Sequence, residues 1–169
     1  MQSGTVQFVE ETEVREAVCA AFESVRAVLE GMLPNARIEH IGSTAVPGSI
    51  TKGDLDVCVL VRADAFARAE RTLAQRFGRN VGSDRTDSFA SFLDENAGDV
   101  PIGIQLVARG GAEDDFVRWR ELLRRSPQVL EAYNDLKRHW HGGRHDEYRI
   151  AKARFIEDAL SASPPTDAG

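Results

Sequence analysis

The run Asp54-Leu55-Asp56-Val57-Cys58-Val59-Leu60-Val61 constrains this chain more than any other stretch. From Leu55 onward it is apolar at every position but one, and it is rich in Val and Leu. Such a run reads as a strand buried on both faces, which places it centrally in a sheet.

The rest of the chain is arranged around that strand. Glu10 to Leu33 carries apolar residues at three- and four-residue steps (Val14, Val18, Ala21, Phe22, Val25, Val28, Leu29, Met32), which predicts an amphipathic helix. Thr12 is its candidate N-cap, and Gly31 and Pro34 end it. Arg37–Ile41 is a short strand, and Thr44 to Gly53 is loop. Asp64 is expected to cap a helix reaching Phe77. Arg79–Ser83, Ser88–Asp94 and Pro101–Ala108 read as strands, the last two an antiparallel pair across the polar turn 94–100. Three helices follow. One covers Ala112 to Arg125. A second has Ser126 as cap and Pro127 at its first position, and Gly142-Gly143 stops it. A third covers His145 to Leu160. The expected fold class is α/β of an α+β-like kind, a mixed β-sheet flanked by helices with a helical C-terminal segment. One domain is expected over residues 1–160, with 161–169 a Pro/Ser-rich disordered tail.

Composition narrows the partners. The 169 residues suffice for one ordinary domain with a full core. The net charge of −6 is uneven: residues 117–158 hold 10 Lys+Arg against 7 Asp+Glu, and the remainder 11 against 20. An acidic body argues against broad nucleic-acid binding. No apolar run approaches the ~20 residues that span a bilayer. The N-terminus has glutamates and no apolar h-region, so the expected location is cytoplasmic. Cys19 and Cys58 each sit in an apolar stretch without metal-ligand spacing, and both are expected to be buried thiols.

The chemistry concentrates in His40-Ile41-Gly42-Ser43-Thr44-Ala45-Val46-Pro47-Gly48 and Lys52-Gly53-Asp54-Leu55-Asp56-Val57. Residues two apart on a strand share a face, so Asp54 and Asp56 direct two carboxylates to one spot while Leu55 and Val57 face the core. Adjacent carboxylates repel unless a cation or proton lies between them. Mg²⁺ binds through one or two carboxylates plus phosphate oxygens, so the pair suits a Mg–nucleotide. Gly42 permits close backbone approach, and the Ser43 and Thr44 amides with the Ser43 hydroxyl are candidate phosphate donors. Lys52 adds a positive charge beside the carboxylates. His40 is a candidate for orienting the turn or a carboxylate, or a structural histidine. His139, His141 and His145 are spaced too loosely for metal ligation and read as surface residues.

An apolar-Gly-Ser turn, a spacer and Asp-apolar-Asp-apolar together match the signature of the nucleotidyltransferase superfamily. The longer string 40–48 closely resembles the characteristic motif of its GrpB branch. Trp119-Arg120-Glu121-Leu122-Leu123, Tyr133-Asn134-Asp135-Leu136-Lys137 and Tyr148-Arg149-Ile150-Ala151-Lys152 resemble that family's later elements. Two departures stand out. Gly53 and Asp54 replace the family's usual Pro and apolar residue. Gly103 and Gln105 stand where a His-x-His pair is common, and where active superfamily members place a third carboxylate. The resemblance implies a nucleotidyltransferase-like fold and Mg²⁺-dependent transfer of a nucleoside monophosphate from an NTP to an unknown acceptor. Asp54 and Asp56 would be the catalytic and metal-holding residues, and Gly42, Ser43, Thr44 and Lys52 would lie on the phosphates. Arg120, Lys137 and Lys152 would supply charge from the opposite wall. The missing third carboxylate leaves open a nucleotide- or phosphometabolite-binding module without transfer.

Overall fold

In the computed structural model, which describes residues 4–110 and 115–163, the central run forms β4 (Leu55–Val61), with Leu55, Val57, Cys58 and Val59 fully buried. It is flanked by β2 (Arg37–Ile41) and β7 (Ile102–Ala108). Beyond β7 come β6 (Phe89–Leu93) and β5 (Gly78–Arg79), giving the five-stranded order β2-β4-β7-β6-β5. The β4–β7 pair is parallel and the others antiparallel, so the sheet is mixed.

Helices cover both faces. On one side α1 (Glu11–Met32) and α2 (Phe66–Leu73) pack Val18, Val25, Leu29, Phe66 and Leu73 against Leu55, Val57, Val59, Ile104 and Leu106. On the other, Ile41, Cys58, Leu60 and Val107 meet Phe116 and Val117 of α3 (Asp115–Arg125). Helices α4 (Pro127–Trp140) and α5 (His145–Ala162) close a second cluster of Trp119, Leu122, Leu123, Tyr133 and Leu160. Val46, from the loop after β2, is buried inside that cluster, which locks the loop to the helices. Full burial of a Val of this kind is worth ~1.5–3 kcal/mol.

The local signals act as their chemistry dictates where neighbours leave them alone. Ser126 Oγ accepts the Val129 N–H at 3.4 Å, and Pro127 opens α4. Several readings are corrected. The N-cap of α1 is Glu10, not Thr12: the Glu10 N–H donates to Glu13 at 3.0 Å, and the chain arrives there as β1 (Val9–Glu10), paired antiparallel with β3 (Ile50–Thr51). That small sheet sets where α1 begins. Asp64 caps no helix. It lies within a 3-10 turn (Ala63–Ala65) and pairs with Arg62 at 2.9 Å. The strand expected at 79–83 is reduced to Gly78–Arg79, because the segment after it turns back on Asn80. Cys19 is exposed, since it falls on the outer side of α1; Cys58 is buried. The start of the helix expected from Ala112 to Arg125 and the end of the expected tail, 164–169, lie outside the described residues, while α5 runs two residues past Leu160. No helix among the described residues is long and apolar enough to cross a membrane.

Candidate functional site

The antiparallel register of β2 on β4 places Ile41 opposite Asp56, so the turn that follows β2 lies directly over the acid pair. Gly42 there has φ 76°, a left-handed conformation that a side chain rarely adopts. A Cβ on Gly42 would stand 2.6 Å from Asp56 Oδ2. On the other flank Asp56 pairs with Gly103 of β7, where a Cβ would stand 3.2 Å from Oδ1. One carboxylate is thus seated between two residues that lack side chains. Asp54 immediately precedes β4, on the same face by strand alternation. Lys52 Nζ lies 3.3 Å from Asp54 Oδ2.

The electrostatics follow from that seating. Burial, with the Asp54 charge beside it, pushes the Asp56 carboxyl up to about 6, and Lys152 and Lys52 pull only weakly the other way. Among the described residues no arginine pairs with either acid. Two adjacent carboxylates, of which only Asp54 has a cation, Lys52, beside it, fit a hard divalent cation that completes its shell with phosphate oxygens. No cluster of three or more His, Cys, Asp or Glu side chains exists among the described residues, so protein ligands would number two. Asp94 and Asp99 line a separate groove of ≈ 430 Å³ against α1 with Arg76 and Phe77, away from this pair.

The turn is held from below by side chains that no local pattern announces. A 3-10 turn, Ser43–Ala45, follows Gly42. Asn134, 2% exposed, donates from Nδ2 to the Gly48 carbonyl at 3.0 Å and accepts the Ile50 N–H at 2.9 Å. Arg124 donates to the Ala45 carbonyl at 3.0 and 2.7 Å. Ser49 Oγ donates to the Ser43 carbonyl. Thr44 Oγ1 donates to the Asp54 carbonyl at 3.1 Å, which ties turn to acid strand. His40 Nε2 lies 2.9 Å from the same Thr44 oxygen. A hydroxyl has one proton, and Thr44 spends it on Asp54, so His40 carries its proton on Nε2 and donates it. Burial and then the Arg124 and Arg120 charges hold His40 down to about 4, and Phe22 stacks on its ring at 5.1 Å. His40 therefore orients the turn as a neutral donor.

The expected cations go to different places. Lys137 is buried beneath the turn, where Nζ donates to Ser43 Oγ at 2.7 Å and to the Ile50 carbonyl. Lys152 is half-buried, and its charge acts on both Asp56 and Lys137. Arg120 is turned to the β2 edge instead: Nη1 donates to Glu39 Oε2 at 2.6 Å and to the His40 carbonyl at 2.8 Å. Burial opposes ionisation of Glu39, but Arg120 and Arg37 outweigh it and hold its carboxyl below the usual range. Sequence reading missed the Asn134 and Arg124 clamps; Asn134 sits one residue from Tyr133 in a motif already singled out, which is the one signal that could have found it. His145 is drawn in as well. Burial lowers its pKa, and the charges of Lys52, Arg149 and Lys152 lower it further, so the start of α5 faces the Lys52 side of the site.

The fold is a mixed sheet flanked by helices, with a glycine turn laid over paired aspartates at its central strand. The family model described as GrpB protein matches residues 9–162. The chain belongs to that family. It is 33% identical to a UPF0157 protein of Vibrio cholerae over 155 residues, 92% of this chain and 82% of that one. A UPF0157 protein of Deinococcus radiodurans is 29% identical over 144 residues, 83% and 74% of the two chains. The crystal structure of the conserved protein GrpB from Enterococcus faecalis superposes with TM-score 0.70 at 19% identity, covering 92% of this chain and 98% of that chain. Cid1 poly(U) polymerase with MgGTP bound gives TM-score 0.45 at 20% identity over 76% of this chain and 42% of that chain, a level that says nothing of ligands.

Proposed function

We propose that this protein binds a Mg²⁺–nucleoside triphosphate between the Gly42-Ser43-Thr44 turn and the Asp54–Asp56 pair, and transfers its nucleoside monophosphate to an acceptor. Asp54 and Asp56 would hold the cation, which when bound neutralises charge on the phosphate oxygens. The turn would present the Ser43 hydroxyl and its backbone amides to the phosphates, and Lys52 and Lys152 would balance the charge of the polyphosphate tail. An acceptor oxygen attacks the α-phosphorus, the bond to the β-phosphate oxygen breaks, pyrophosphate leaves, and the acceptor's proton passes to solvent. The observation that carries the reading is the Asp56 carboxylate seated against Gly42 with Asp54 beside it and no arginine on either.

A second reading, binding without transfer, is favoured by one feature. The residue paired with Asp56 on β7 is Gly103, and the next on that face is Gln105. Neither is a carboxylate.

Thermal melts with each NTP, with and without Mg²⁺, test the first half. A Mg²⁺-dependent rise that Asp54→Asn and Asp56→Asn both lose is expected; a ligand at 100 times its Kd adds about 2.7 kcal/mol. A flat response to all four NTPs sinks both readings. Pyrophosphate release in acceptor screens separates transfer from binding alone.

A further inference from the structure

Asp56 divides the site into two flanks. The strand order β2-β4-β7 sets the Gly42 turn on one side of its carboxylate, facing Oδ2, and Gly103 on the other, facing Oδ1. Under the proposed function the polyphosphate tail lies on the turn. A phosphoryl group is displaced with the entering and leaving oxygens roughly in line. Pyrophosphate leaving toward the turn therefore requires the acceptor to enter from the β7 flank, over Gly103. The side chain that stands there is Gln105, on the same face as Gly103 by strand alternation. A Cβ on Gly103 would lie 3.7 Å from Gln105 Nε2 and 3.2 Å from Asp56 Oδ1, so the space above Gly103 borders both the amide and the carboxylate. Gln105 is half-buried, and among the described residues its amide has no hydrogen-bond partner. Ser91, opposite it on β6, is engaged by Asn80 at 3.3 Å.

The chemistry of that flank selects the acceptor. A hydroxyl must give up a proton as it attacks, and a positioned base is its usual recipient. Under the proposed function Asp54 and Asp56 are committed to the cation. Gly103 has no side chain, and the carboxamide of Gln105 takes no proton. Glu95 stands over Gly78 of β5, two strands beyond β7, which is roughly 10 Å by strand spacing. What the flank offers is an N–H donor with no partner of its own, and such a donor suits an oxygen that already carries charge. We infer that the acceptor is an oxyanion, a carboxylate or a phosphate monoester, bound over Gly103 with Gln105 Nε2 donating to it. This rests on the proposed function and names its acceptor class. An acid of this kind has shed its proton to solvent before it binds. Its oxygen bonds to the α-phosphorus, the bond from that phosphorus to the bridging oxygen breaks, and the electron pair leaves with pyrophosphate. No proton moves within the site. The product is an anhydride, either an acyl nucleotide or a nucleoside diphosphate ester. A carboxylate in place of Gln105 would repel such an acceptor.

Amide NMR spectra of isotopically labelled protein test this at the residue itself. The Gln105 side-chain signal is identified by its loss in Gln105→Ala. It is followed with Mg²⁺ and NTP analogues of each base whose α–β bridging oxygen is a methylene, so that no transfer occurs, while acetate, methyl phosphate or glycerol is added. A saturable shift with acetate, methyl phosphate or both is expected, and the two probes tell a carboxylate site from a phosphate monoester site. Glycerol at the same concentration, and sodium chloride at the same ionic strength, should leave the signal in place. The Gly103 backbone amide, followed in Gln105→Ala, should need roughly tenfold more of the same oxyanion to shift, as for loss of a hydrogen bond to a charged group, and in Gln105→Glu more still. Melts of the free variants report folding, and should Gln105→Glu fail to fold, Gln105→Ala decides by the same comparison. Pyrophosphate release from NTPs should follow carboxylates or phosphate monoesters and not alcohols. No response to either oxyanion, an equal response to glycerol, unchanged affinity in Gln105→Ala, or release driven by alcohols overturns the inference. A folded Gln105 variant that loses the Mg²⁺–NTP melting shift also overturns it, because Gln105 would then serve the nucleotide. In each of these cases a melting shift in the native protein spares the proposed function; absence of that shift overturns both.

Discussion

The Asp56 carboxylate occupies the space into which a side chain on Gly42 would project, 2.6 Å from Oδ2 to that Cβ position. Gly42→Ala therefore meets two penalties together, a left-handed φ of 76° and a collision with an enclosed carboxylate. It should cost about 2 kcal/mol or more of stability and abolish the Mg²⁺–NTP melting shift. Gly103→Ala, with 3.2 Å to Oδ1, should cost less and weaken the shift without removing it. Melts of the two variants rank them; equal tolerance of both would show that the seat is not tight.

Asp56 makes the free protein less stable as pH rises. Its folded pKa of about 6 lies above the ordinary 3.8, so the folded state binds the extra proton. The stability it contributes is present below about pH 4 and is lost as pH climbs through about 6. Asp56→Asn should thus raise the melting temperature at pH 8, by up to about 3 kcal/mol in free energy, with the gain vanishing near pH 4. Mg²⁺-dependent binding should run the opposite way, strengthening through the same window. An Asp56→Asn variant less stable than the native protein at pH 8 would contradict this account.

Glu70 behaves in the contrary sense. It is 5% exposed; Arg85, donating at 2.8 Å to both oxygens, and then Arg79 hold its carboxyl down to about 2. Its contribution is full above about pH 4.5 and disappears as pH falls through about 2. Both arginines are substantially exposed, so screening trims the effect, and Glu70→Gln should cost about 1–2 kcal/mol at pH 7. Acid titration of the two proteins should show their stabilities converging near pH 2, and a constant gap would refute the ionic origin.

Asn134→Ala removes the partner of one buried carbonyl, on Gly48, and one buried N–H, on Ile50. Leaving such groups unsatisfied costs ~1–3 kcal/mol each. The loss should exceed that of Asp135→Ala, which only breaks an exposed pair with Arg138, by at least about 2 kcal/mol. Denaturant midpoints measure the difference.

The sequence by itself determined the strand that carries the acids and the turn that precedes it. Those signals are local: Val and Leu at successive positions need burial on two faces, and Gly-Ser before a short spacer needs only a few backbone angles. It also determined the order of the main strands and helices, the mixed sheet and the Ser126-Pro127 start of α4, but not the β1–β3 pair, whose second strand lies in a segment that reads as loop. Only the tertiary structure decided where the cations point. Arg120 meets Glu39 across 81 positions and Lys137 meets Ser43 across 94, distances over which no periodicity carries information. Thr12 lost its capping role to Glu10 because β1 pairs with β3, forty residues on. Spacing along a helix tells which residues share a face, but whether that face meets solvent, a carboxylate or the underside of a loop depends on how helices pack over the sheet, and that packing is settled by the whole core at once.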